Sequence, residues 1–237
     1  MVTECPICGE PLSIEKKIGN TVFPFPRACK CVRVKLEHER IEQEKAERYE
    51  KYHDAVAGIP ATMRNKTFEA DLYPNSKVSV IAKQYVANWK ENKKQNKGLL
   101  LVGFPRNGKT YIATAIGNEI AKQYLDSVYL DNYLDMIRKA NNYKISDDLF
   151  ERIENASLLI IDDLQRIKEK DRSTTYEIIN RRYVTNKPFI ITTNLTDVDI
   201  KNLISEDVQN DQVFSRILQV CEPIGVSNPQ LVNSIYQ

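Results

Sequence analysis

The sequence predicts an α/β fold, a parallel sheet flanked by helices in three layers, preceded by a small cysteine-bearing module. Three observations predict it. The apolar run Leu99–Val102 leads into Gly103-Phe-Pro-Arg-Asn-Gly108-Lys109-Thr110 and then into a helical pattern ending near Tyr124. A second apolar run, Leu158-Leu-Ile-Ile, ends in Asp162-Asp163. Four of the five cysteines fall within the first 31 residues, as Cys5-Pro-Ile-Cys8 and Cys29-Lys-Cys31.

The first observation reads as strand, loop, helix. A loop of the form G-x-x-x-x-G-K-T in that setting turns its backbone N–H groups, and the positive end of a helix, toward phosphate oxygens. Gly103 and Gly108 allow the curl where a side chain would obstruct it. Lys109 then reaches the β- and γ-phosphates, and the Thr110 hydroxyl ligates magnesium. The nucleotide-binding set is Gly103, Phe104, Pro105, Arg106, Asn107, Gly108, Lys109, Thr110 and Tyr111. An ordinary Gly-containing β–α turn would leave the Gly-Lys-Thr unexplained.

The second run suggests a strand buried on both faces, as in a parallel sheet. Asp162 then sits at the strand's carboxyl end, where open α/β sheets bind ligands. One carboxylate there serves the magnesium shell, so Thr110 and Asp162 are the expected magnesium residues. The next, Asp163, polarises an attacking water.

The cysteine spacing favours a metal over disulfides in a cytoplasmic chain. Cys5, Cys8, Cys29 and Cys31 make a closed, structural four-thiolate zinc site, with His38 a rival ligand that four cysteines leave redundant. Cys221 reads as an ordinary thiol. A net charge of +2, from 34 basic and 32 acidic residues, points to no particular partner. No run of about 18 apolar residues exists, so no membrane span is expected. The first residues lack a signal-peptide pattern, and the expected location is cytoplasmic.

Along the chain, residues 1–31 form the zinc-binding module, 32–57 a charged helical linker, and 58–237 the main domain, opening at Gly58-Ile-Pro60. The mixed charges of the linker argue against a DNA-binding arm. Helices are expected over 77–92, 109–124, 132–142, 146–156, 171–186, 197–204 and 210–219. Strands are expected over 99–102, 127–131, 158–162 and 189–193, with a basic loop at 90–97.

With these pieces placed, nearly the whole chain resembles the bacterial and phage replicative-helicase loaders of the DnaC/DnaI type, members of the AAA+ ATPases. Gly103–Thr110 matches their Walker A element and Leu158–Asp163 their Walker B element. Gly58-Ile-Pro60 with Thr67-Phe68 is similar to their entry into the ATPase domain. Lys187–Asn194 is similar to their sensor-1 strand, and Phe214-Ser-Arg216-Ile217 to the segment that carries their arginine finger. The cysteine module is similar to the helicase-contacting region of the DnaI-like branch.

The resemblance implies an ATPase loading a hexameric, DnaB-like helicase onto single-stranded DNA, with ATP, Mg²⁺ and Zn²⁺ as cofactors and ATP-dependent homo-oligomers. It implies a catalytic set of Lys109, Asp162, Asp163, Asn194 and Arg216, the last acting in trans, with Arg181 and Arg182 as competitors for that role. Departures from the family pattern are Arg106 in place of a loop glycine, Asp163 in place of glutamate, and no arginine after Gly225-Val-Ser227. Only 21 residues follow Arg216 (237 minus 216), so a minimal C-terminal lid or none is expected, with weak hydrolysis by the monomer. A transposase-helper ATPase of the IstB type and a non-hydrolysing, zinc-anchored adaptor are the alternatives. Candidate DNA contacts are Lys90, Lys93, Lys94 and Lys97, or Tyr133, Arg138, Lys139 and Tyr143, since single strands want cations beside stacking rings.

Overall fold

A computed structural model describes residues 4–196, 198–200 and 208–227. The chain divides into two compact units, Met1–Lys51 and Tyr52–Gln237.

In the first unit, the turn after Cys5 closes through Gly9, at φ 70°, whose N–H donates to the Cys5 carbonyl at 2.9 Å. An antiparallel hairpin follows, β1 (Ser13–Ile18) and β2 (Thr21–Pro26), with Ile18 opposite Thr21. Its two-residue connection has Gly19 at φ 63°, the left-handed backbone that tight hairpins demand. Helix α1 (Lys30–Val56) starts between the last two clustered cysteines. Glu10 caps it from a distance, accepting from the Lys30 N–H at 2.5 Å and pairing with Arg33 at 3.1 Å. That backbone hydrogen bond, with Arg33 adding to it, holds the Glu10 carboxyl below its ordinary value. The solvated middle of α1 carries the short-range pairs Arg40–Glu37, Arg40–Glu44 and Lys45–Glu42.

The units divide at Lys51/Tyr52, earlier than the expected start of the main domain at 58. The last turn of α1 accounts for this. Ala55 and Val56 are buried with the second unit's core, and Tyr52 packs against it.

The second unit contains α2 (Lys77–Ala87), α3 (Trp89–Lys94), β3 (Gly98–Val102), α4 (Lys109–Tyr124), β4 (Val128–Asn132), α5 (Tyr133–Ala140) and α6 (Ser146–Asn155). After these come β5 (Leu158–Leu164), α7 (Arg172–Val184), β6 (Phe189–Thr193), α8 (Val208–Val220) and β7 (Cys221–Gly225). The five strands form one sheet in the order β4-β5-β6-β3-β7, and every pairing is parallel. Alternate strand residues feed opposite faces. Leu99, Leu101, Leu130, Ile160 and Ile190 join α2 and α4 in one core, while Leu100, Ile161, Phe189 and Ile191 join α5 to α8 in the other. Gly98 lies where β3 meets its neighbours, and a Cβ there would sit 2.0 Å from the Phe189 carbonyl oxygen.

Three differences from the expected elements have physical reasons. The 77–92 helix is broken at Asn88, and the basic 90–97 stretch is largely α3 and not a loop. The break seats Trp89 at 0% exposure, with its indole N–H on Asp126 at 2.6 Å. Strand β7 is unexpected because Cys-Glu-Pro-Ile-Gly contains proline; as an edge strand it can spare that N–H. The hairpin β1–β2 is unexpected because Thr-Val-Phe-Pro-Phe-Pro also reads as a breaker, and β2 is exposed along its length. Most of the helix expected near 197–204 lies outside the described residues, as does the segment after Ser227.

Candidate nucleotide and cysteine sites

The loop between β3 and α4 is held from three sides. Val226, just past β7, donates to the Val102 carbonyl at 2.7 Å and accepts from Asn107 Nδ2 at 3.1 Å. The Gly103 N–H donates to the Thr193 carbonyl of β6. Gly108, at φ 86°, turns the chain into α4. Arg106 also adopts the left-handed backbone, φ 65°.

Lys109 is 7% exposed. Its Nζ donates to the Gly103 and Phe104 carbonyls, both at 2.8 Å, and to Asn194 Oδ1 at 2.7 Å. Burial pushes this ammonium below the usual lysine value, while the charges of Asp163 and Asp162 act in the opposite direction. Thr110 Oγ1 donates to Asp162 Oδ1 at 2.8 Å. Asn194 Nδ2 donates to Asp163 Oδ1 at 2.9 Å. The structure thus brings Lys109, Thr110, Asp162, Asp163 and Asn194 together at the carboxyl ends of β3, β5 and β6.

The β5–β6 register shifts between Ile161 and Leu164. This irregularity sits at the two aspartates, and Asp163 is at φ 58°. A bulge of this kind re-aims side chains beside active sites. Thr192, absent from the sequence-derived set, stabilises it. Its Oγ1 donates to Asp162 Oδ1 at 2.7 Å and accepts from the Asp163 N–H at 2.8 Å. The available signal was the Thr192-Thr193 pair in an otherwise apolar strand. Two cavities flank the loop. One, of about 270 Å³, lies toward Asn194, Thr196 and Pro223. The other, of about 260 Å³ and largely apolar, lies between Asp71–Tyr73 and the start of α4. The 71–73 residues that line the latter carried no sequence signal for a cavity.

Arg182 is excluded as a trans-acting group. It is 0% exposed, and its guanidinium donates to the carbonyls of Ile153, Ala156, Ser157 and Pro188 at 2.6–3.0 Å. Arg181 is committed to Glu154 and Glu177. Arg216 lies over the Tyr176 ring at 4.4 Å and donates to that residue's hydroxyl at 2.8 Å. Among the candidate DNA contacts, Tyr133 is a core residue, 3% exposed, with its hydroxyl hydrogen-bonded to Thr175. Lys93, Arg138 and Lys139 pair with Asp126, Asp135 and Asp131. Tyr143 is exposed.

In the first unit, the sulfur atoms of Cys5, Cys8, Cys29 and Cys31 all lie within 4.8 Å of one another. Zinc–thiolate bonds of about 2.3 Å require sulfur separations of about 3.8 Å in a tetrahedron, so the donor set fits such an ion. Backbone hydrogen bonds from Cys8 and Ile7, aided by Cys29, lower the Cys5 thiol to about 6. Cys221 is buried in the other unit, with its Sγ at 3.3 Å from the Phe189 carbonyl.

No helix among the described residues is long and apolar enough to cross a membrane.

Residues 31–232 match the family described as IstB-like ATP binding protein. The chain is 29% identical over 148 residues to the phage-like element PBSX protein XkdC of Bacillus subtilis (strain 168), a match covering 59% of this chain and 53% of that one. It therefore spans about half the length of that curated relative. The crystal structure of the DnaI superposes with a TM-score of 0.60 at 24% identity, covering 73% of this chain and 94% of that chain. The crystal structure of the DnaC helicase loader gives 0.59 at 23%, covering 71% and 100%. These likenesses establish the fold, and the family match covers the strand, loop and carboxylates described above. The chain belongs to the IstB-like ATP-binding protein family and has an AAA+ ATPase fold.

Proposed function

We propose that the chain is an ATP-dependent loader of a hexameric, DnaB-like replicative helicase onto single-stranded DNA. The observation that carries this reading is the combination, in one chain, of a four-cysteine unit with an ATP-binding unit similar over almost their whole lengths to DnaI and the DnaC helicase loader. The cysteine unit, with zinc holding it folded, and α1 are the grip on the helicase. The ATP-binding unit controls assembly and release, because a γ-phosphate bridging two subunits favours the assembled state.

In hydrolysis, Lys109 exchanges its loop carbonyls for the β- and γ-phosphates. Thr110 and Asp162 would hold Mg²⁺, whose charge would offset that of the phosphates. Asp163 polarises the attacking water, and Asn194 orients Asp163 and that water. Arg216 of a neighbouring copy offsets transition-state charge; unlike Arg182 it is not fully buried under backbone carbonyls, and unlike Arg181 its partner is no carboxylate but the Tyr176 hydroxyl and ring. Turnover is weak in the monomer and rises on oligomerisation.

The test mixes the chain with the replicative helicase of its own host, with and without ATP, and assays loading onto protein-covered single strands. An ATP-sensitive complex and helicase loading are expected. No complex at micromolar concentration would sink the reading. The family match itself favours a second reading, a transposase-helper ATPase of the IstB type. Preference for duplex over single-stranded DNA selects that one. ATP turnover indifferent to Lys109→Ala selects the third, a non-hydrolysing adaptor.

A further inference from the structure

Arg106 stands at the tip of the phosphate loop, exposed, with φ 65°. Among the described residues, no hydrogen bond or ion pair engages its guanidinium. It lines the apolar cavity together with Leu72, Tyr73, Asn107 and Tyr111. On the other side of the loop, Lys109 meets Asn194, and Asn194 meets Asp163.

The charges near the loop do not balance an anionic ligand. One ammonium, Lys109, faces two carboxylates, Asp162 and Asp163, and magnesium-bound ATP still carries net negative charge. A second cation completes the site. A guanidinium pairs with phosphate through two parallel N–H donors, and an exposed, uncommitted one needs to break nothing to do so.

We infer that the Arg106 side chain binds the nucleotide, at the α- and β-phosphates. This rests on the ATP reading of the loop and deepens it. The position follows from the two sides of the site. The Lys109–Asn194–Asp163 side serves the terminal phosphate, and the apolar cavity takes the base. A group bordering both the cavity and the loop meets the phosphates nearest the base. The left-handed backbone at Arg106 suits glycine better than arginine. Glycine there should therefore relieve the backbone while removing the ligand contact, so stability and affinity should move in opposite directions.

The experiment is calorimetric titration of the full chain with MgATP and MgADP, alongside melting temperatures measured without nucleotide. It compares the parent with Arg106→Gly, Arg106→Lys and Lys109→Ala. Arg106→Gly should weaken ATP and ADP alike, by about tenfold, and melt above the parent. Arg106→Lys should fall between parent and glycine in affinity. The inference is overturned if Arg106→Gly binds both nucleotides within twofold of the parent. It is equally overturned if the loss is confined to ATP, or if that variant melts below the parent. Failure of the underlying ATP reading looks different: the parent itself gives no heat with either nucleotide, and Lys109→Ala changes nothing, an outcome that removes both.

Discussion

Thr110 Oγ1 and Asp162 Oδ1 meet at 2.8 Å, joining the first turn of α4 to the end of β5. A hydroxyl and a carboxylate already in contact form two oxygen ligands for magnesium with little rearrangement, and magnesium tolerates only near-octahedral placement. Asp162→Asn and Thr110→Val should each weaken ATP binding about 10- to 100-fold in the presence of Mg²⁺. Without the metal they should change it little. Calorimetry with and without EDTA separates the two conditions, and an equal loss in both would assign the pair to loop structure alone.

Asp163 and Asn194 form a second linked pair, 2.9 Å apart, and Asn194 also holds Lys109. Removing one polar group aimed at developing charge costs about 10²- to 10³-fold in turnover. Asp163→Asn retains a side chain that tolerates positive φ, so the fold should persist while turnover falls by that amount. Asn194→Ala should do the same with nucleotide affinity nearly unchanged. Because the residues act on each other, the double variant should lose much less than the product of the two single losses. Single-turnover kinetics with radiolabelled ATP would read the cycle, and multiplicative losses would contradict it.

Arg182 is a structural strut. Its charge is buried against four carbonyl oxygens at the ends of α6 and the start of β6, with no carboxylate among those partners. Desolvation pushes its guanidinium down to about 9, with a small opposing contribution from Tyr85. Arg182→Met fills similar volume but abandons those carbonyls, each costing about 1–3 kcal/mol when left buried without a donor. The expected destabilisation is at least about 3 kcal/mol in urea unfolding. A loss below about 0.5 kcal/mol, the range of ordinary surface substitutions, would show that the strut is dispensable.

The cysteine unit would be held folded by the proposed zinc for a different reason. Both faces of its hairpin are largely exposed, so apolar burial contributes little there. Stoichiometric zinc should be found by elemental analysis. A strong chelator should abolish slow hydrogen exchange around Cys5–Cys31 while leaving β3–β6 protected. Unchanged protection in the hairpin after complete metal removal would refute this.

The parts of the fold that could be read ahead are those in which local pattern and tertiary role agree. Leu99–Val102, Leu158–Ile161 and Phe189–Ile191 are unbroken apolar runs because the sheet is covered on both faces, and helices separate them as parallel strands require. The strand–loop–helix arrangement at 98–124 was legible because the apolar run, the glycine spacing and the helical pattern act locally. The hidden parts depend on neighbours distant in sequence. Pro223 belongs to a strand only because β7 is an edge. Thr192 matters only because the bulge at Asp162–Asp163 brings its hydroxyl between two groups. Arg182 looks like a surface arginine until the carbonyls of α6 converge on it, and Tyr133 looks like a stacking ring until Thr175 receives its hydroxyl.

Asp126 offers a test of electrostatics far from the nucleotide loop, with a built-in reporter. It accepts from the indole of Trp89, the chain's one tryptophan, at 2.6 Å, and from Lys93 at 2.7 Å and Ser157 at 3.1 Å. Burial acts to raise this carboxyl, but the hydrogen bonds from Lys93 and Trp89 outweigh it, and the group lies below the ordinary aspartate value. Between the folded value and the unfolded one, about 3.9, the unfolded chain binds more protons, so this contribution to stability grows as pH rises through that window. It is fully present above the unfolded value and is lost as pH falls through the folded one. Asp126→Asn should therefore cost about 1–2 kcal/mol at pH 7, where the charged acceptor is replaced by a neutral one. The difference from the parent should shrink as the medium is acidified below about pH 4, because the parent's own carboxyl is then neutralised. Urea unfolding followed by Trp89 fluorescence, repeated from pH 7 to the acid limit of the fold, measures both quantities. A gap that stays constant with pH would mean that the charge of Asp126 contributes nothing and that only the shape of its side chain matters.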